Sequence, residues 1–195
     1  MENLKEELAA AKAKNRLNNW VAVSVALLSA FMAVTKVKDD NLVQAMLQTK
    51  SDAVDTWNEY QSKRIKHHLA ELGLKQTEAL QTMPMATNKG KAVLAEQALD
   101  YQTGITRYQG EEELLKKKAK GFEAQYDALN FRDDQFDLSD AALSVSLALL
   151  AVTALTGKRL LFAFSWLFAG FGILMGVAGL YGFSFHPDWL TKLLS

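Results

Sequence analysis

Cysteine is missing from the chain, and only 2 prolines occur in 195 residues. The first absence excludes disulfides, thiolate metal sites and cysteine nucleophiles; the second removes most of the points at which a helix must stop. Glycine is sparse at 11 residues, which disfavours a turn-rich sandwich or a collagen-like chain. Nor is there an excess of one charge, since 22 basic and 22 acidic side chains cancel and leave no electrostatic footprint for nucleic acid. The mean hydropathy of -0.05 averages two kinds of chain: near charge-free apolar runs towards both ends, and a polar middle.

Residues 20–35, 141–156 and 160–185 contain no Asp, Glu, Lys, Arg or His. A charge at mid-bilayer costs roughly 2.5 to 3.5 kcal/mol on insertion scales, so three such stretches in a chain that is 23% charged read as transmembrane helices in a lipid bilayer. The first two reach only about 24 Å against a hydrocarbon core of about 30 Å. Lys36 and Lys38 can snorkel while the first helix continues. The borderline lengths leave burial in a soluble core as the competing reading. Residues 1–19 form a polar helical segment whose Glu2, Glu6 and Glu7 do not suit a signal peptide, so the first span is expected to stay as an anchor.

Each span carries small residues at helical spacing: Ala22, Ala26 and Ala30; Ser144, Ala148 and Ala151; Gly172, Gly176 and Gly179. Such rows let helix backbones approach closely in lipid, and three of them favour tight packing within the chain or between copies.

The middle, residues 36–140, holds 15 basic and 18 acidic side chains and one clear turn signal, near 82–90 and centred on Pro84. Two arms of similar length flank it. In the second arm Leu94, Ala98, Tyr101, Ile105, Tyr108, Glu112, Leu115, Ala119, Phe122, Tyr126 and Leu129 alternate steps of four and three, the coiled-coil signal. In the first arm Val43, Leu47, Lys50, Val54, Trp57 and Gln61 form a seam that resumes at Ile65, Leu69, Leu72, Gln76, Ala79 and Met83 after an extra step of four, a stutter. The expected fold is therefore an all-α membrane protein: three transmembrane helices, a long antiparallel coiled-coil hairpin between the first and second, and a C-terminal tail over residues 186–195.

The stretches Asn19-Trp20-Val21-Ala22-Val23, Phe31-Met32-Ala33-Val34-Thr35-Lys36-Val37-Lys38-Asp39-Asp40-Asn41 and Asp55-Thr56-Trp57-Asn58-Glu59-Tyr60-Gln61 resemble the bacterial membrane family known as domain of unknown function 4337. The likeness covers nearly the whole chain. It implies a location in the bacterial inner membrane, and it brings no activity, cofactor or catalytic residue with it. Near span ends, six Lys and Arg side chains lie on the N-terminal side and four on the side of the middle region, which by the positive-inside rule places the hairpin in the periplasm.

Chemistry-bearing clusters are few. His67 and Glu71 are spaced for half a metal site, with exposed helix residues as the plainer reading of His67 and His68. His186 suits an interfacial position beside Pro187. Asp133, Asp134, Asp137 and Asp140 precede the second span, while Asp39 and Asp40 follow the first; helix capping explains them more simply than a divalent cation does. There is no phosphate loop and no nucleophile elbow, and no cofactor or metal is expected. The expectation is a scaffold rather than an enzyme, homo-oligomeric or holding a protein partner through the hairpin. The alternative is an oligomeric channel-like or transport-accessory protein, which the absence of ionisable groups inside the spans disfavours.

Overall fold

Few residues in this chain stop a helix, and the computed structural model, which describes residues 2–83 and 87–183, contains three of them and no strand among those residues. Helix α1 runs from Glu2 to Gln81, α2 from Asn88 to Thr156 and α3 from Arg159 to Tyr181. The N-terminal polar segment, the first apolar run and the first arm are thus one unbroken helix, as expected where nothing between Val34 and Asn41 favours a break.

Several helix ends have a local cause. At the end of α1 the N–H groups of Thr82 and Met83 tighten onto the carbonyls of Ala79 and Leu80, while the Thr82 hydroxyl donates to the Ala79 carbonyl at 2.7 Å. Pro84, the expected breaker, lies outside the described residues. Thr87 caps α2, its hydroxyl accepting from the Gly90 N–H at 3.2 Å. Gly157 separates α2 from α3 at φ 68°, and Gly182 ends α3 at φ 70°, with the Phe183 N–H returning to the Ala178 carbonyl. This stop shortens the third apolar helix relative to the expected 160–185: Gly182 and Phe183 are not helical, and the remaining positions lie outside the described residues.

The chain divides into two units, Met1–Met46 with Ala128–Ser195 and Leu47–Asp127. The first unit contains the three apolar stretches. Each helix is long and apolar enough to cross a membrane. Their shared core is Val21 and Leu28 from α1, Leu143 and Leu150 from α2 and Ala169 from α3, with Phe31, Leu147, Phe162 and Ile173 packed against it.

In the second unit α1 meets α2. Trp57 Nε1 donates to Glu123 Oε1 at 2.9 Å, His67 Nδ1 lies 2.8 Å from Glu112 Oε1, and the Tyr101 ring lies against Gly73. Numbers rise on α1 as they fall on α2, so the helices run antiparallel across this unit.

Candidate functional site

In the first unit, the rows of small residues take different places. Gly172, Gly176 and Gly179 are buried, and a Cβ on each would lie 2.8 to 2.9 Å from Leu143, Phe31 or Phe136. This face of α3 needs glycine because neighbouring side chains occupy the space a methyl group would take. Ala22, Ala26 and Ala30 are instead exposed, as are Ser144, Ala148 and Ala151. The inward positions of α1 belong to Val21, Ser24 and Leu28, and those of α2 to Leu143, Ser146 and Leu150. Serine fits these close crossings because its hydroxyl finds a carbonyl: Ser139 Oγ donates to Gly172 O at 2.7 Å and Ser146 Oγ to Ser165 O at 2.8 Å. These interhelical bonds were not anticipated from the sequence, where serine adds little to an apolar pattern.

Next to this packed region lies a carboxylate cluster. Asp39 on α1 is 5% exposed, and its Oδ2 accepts from Lys36 Nζ at 2.7 Å. That hydrogen bond, and the charge behind it, holds the lysine above its ordinary value. Across from Asp39 on α2, Asp133 is half-buried and pushed up to about 6, chiefly by desolvation and then by the charges of Asp137 and Asp39. Asp137 is raised as well, by desolvation and the charge of Asp39. The Arg132 guanidinium is directed to α3, donating to Gly179 O at 3.0 and 3.2 Å, and Gln135 Nε2 donates to Phe183 O at 2.8 Å, holding the end of α3. Capping is thus an incomplete account of these aspartates, since Asp39 and Asp133 lie inside long helices rather than at their ends.

In the second unit Leu94, Tyr101, Ile105, Tyr108, Leu115, Phe122 and Tyr126 of α2 are half-buried and Ala119 is buried. Leu129, half-buried too, belongs to the first unit. The row expected on α1 requires correction. Val54, Ile65, Leu69 and Leu72 are 52 to 61% exposed, and only Trp57 is half-buried. The covered face is Thr49, Ala53, Thr56, Tyr60, Lys63, His67, Ala70, Leu74 and Thr77, which alternates steps of four and three with no stutter. Tyrosines and phenylalanine on α2 require small residues opposite, and the threonines satisfy themselves, Thr56 donating to Asp52 O at 2.7 Å and Thr77 to Gly73 O at 2.8 Å. Hydrophobic spacing selects leucine and isoleucine, and so selects the neighbouring, outward row.

His67 is buried, contrary to its plainer expectation, whereas His68 is exposed. His67 Nε2 lies 3.5 Å from Glu71 Oε1, and His68 Nδ1 lies 3.0 Å from Glu71 Oε2, a contact that lowers the Glu71 carboxyl. Lys63 Nζ meets Glu111 Oε2 at 2.6 Å, an ion-pair contact that raises the lysine and lowers the glutamate. Among the described residues no group of three His, Cys, Asp or Glu side chains could hold a metal ion.

Neither the curated proteins nor the solved structures provide a match to this chain. Residues 17–182 match the model of a family described as Domain of unknown function (DUF4337), and because that match takes in most of the chain, the protein belongs to this family.

Proposed function

We propose that the protein is an integral membrane scaffold of the bacterial inner membrane, anchored by three helices and presenting a coiled-coil hairpin for self-association. The observation that carries this reading is the outward row on α1. Leu47, Val54, Ile65, Leu69 and Leu72, between 52 and 65% exposed, place apolar side chains at coiled-coil spacing on a face that α2 leaves open. A matching helix of a second copy covers such a row, and a different protein partner is the alternative occupant. The exposed small residues Ala22, Ala26, Ala30, Ser144, Ala148 and Ala151 supply a second set of close-approach faces. The role is structural rather than catalytic.

A single cysteine at Leu69 tests this directly, because the chain has no cysteine of its own. Oxidation of native membranes is expected to give a covalent dimer from Leu69→Cys and none from Gln109→Cys. Equal cross-linking at both positions, or none at Leu69, contradicts the proposal. The lysine and arginine balance favours a periplasmic hairpin; labelling of Asn88→Cys by an impermeant thiol reagent on spheroplasts supports that side, and protection reverses it.

A channel-like oligomer is the second reading, favoured by the uncharged small-residue faces that α1 and α2 leave exposed. Solute flux through reconstituted vesicles supports it, and flux no greater than in protein-free vesicles removes it.

A further inference from the structure

Two carboxylates that face each other cannot hydrogen-bond unless one of them carries a proton. Asp39 presents this situation in a buried place. Its Oδ2 is held by Lys36, whereas Oδ1 is enclosed and accepts no hydrogen bond from any N–H or O–H among the described residues. The group within hydrogen-bonding reach on the facing helix is the carboxyl of Asp133.

We propose that Asp39 and Asp133 form a proton-binding site, in which the Asp133 carboxyl carries the proton and donates it to Asp39 Oδ1, joining α1 to α2. The bond supplies the buried oxygen with the partner it lacks, and it turns a repulsive pair into an attractive one. Loss of the proton leaves two negative charges together at the end of the packed apolar region, so α1 and α2 hold each other less firmly there.

The surroundings favour retention. From α1 the pair is faced by Lys36 and Asp40; from α2 it is faced by Asp134, Asp137 and Asp140, with Arg132 directed to the Gly179 carbonyl. Residues 160–181 of α3 contribute no charged side chain. One lysine therefore stands among several carboxyls, and the elevated value of Asp133, about 6, agrees with a proton taken up there as pH falls through that value. A metal ion is the less suitable ligand, since the described residues provide no set of three groups able to hold one.

The test is infrared titration of the full-length protein in lipid nanodiscs, following the carbonyl stretch of protonated carboxyls between pH 4 and 8. The wild type is expected to show a band titrating near pH 6 that disappears in Asp133→Asn and moves to lower pH in Asp39→Asn, since desolvation and Asp137 still act on Asp133 there. Circular dichroism checks that each variant keeps its helices, and if Asp133→Asn fails to fold, Asp39→Asn alone decides through the shifted midpoint. Three results overturn the proposal: no band titrating above the ordinary carboxylate range, an unchanged band in both folded variants, or a site filled by sodium or calcium at constant pH with no proton uptake.

Discussion

The Ser139 hydroxyl bonds the Gly172 carbonyl at 2.7 Å and also lies 2.8 Å from where a Cβ on Gly176 would stand. One serine on α2 thus fixes α3 both by a hydrogen bond and by the space it denies.

Substitution at Gly172 should consequently be poorly tolerated. A Cβ there meets the Ser139 backbone carbonyl at 3.1 Å as well as Leu143, and backbone does not yield as a side-chain tip does. Gly172→Val is expected to cost about 1 to 3 kcal/mol through overpacking, read from thermal or denaturant unfolding in detergent. Ala26→Val, on an exposed face, should leave the unfolding of the isolated chain unchanged.

These two predictions separate what periodicity reveals from what it hides. Small residues on α3 stand out because glycine at steps of four and three has few other uses inside a helix. On α1 and α2 the same spacing occurs on outward faces, since alanine is also an ordinary helix former, whereas the inward positions use serine and large apolar residues. Helix number and class were legible because uncharged runs and scarce breakers leave little choice. On α2 the residues from Leu94 to Tyr126 at alternate steps of four and three are the less exposed ones. The covered row on α1 was not legible: Ala53, Thr56, Ala70 and Thr77 are covered because tyrosine and phenylalanine opposite need room, a property of the pair rather than of either strip of sequence.

His67 and Glu112 provide a test of the corrected register. Their side chains are 11% and 15% exposed and meet at 2.8 Å. His67→Leu removes the partner of a largely buried carboxylate, and a loss of about 1 to 3 kcal/mol is expected. Ile65→Ser, on the outward row, should leave unfolding of the monomer nearly unchanged. Denaturant midpoints of the two variants at a concentration that keeps the chain monomeric compare them.

Asp133 gives the protein a distinctive pH dependence. Its folded value of about 6 exceeds the ordinary 3.8, so the folded chain binds more protons between these limits. The stabilisation is complete below pH 3.8, falls as pH rises and is gone above about 6. Glu71 and Glu111 are lowered and act in the opposite sense, losing stability only as pH falls below their ordinary 4.5. Melting temperatures measured from pH 4.5 to 6.5 should therefore decline for the wild type and vary less for Asp133→Asn.

The exposed row on α1 carries the functional reading, and its most direct test is the number of chains per particle, counted by native mass spectrometry after extraction with native lipid. The wild type is expected as a discrete oligomer, and Ile65→Lys combined with Leu72→Lys should reduce it to single chains with unchanged helicity. A wild type that is a single chain at every concentration, or a variant that retains the wild-type copy number, would contradict self-association through this face.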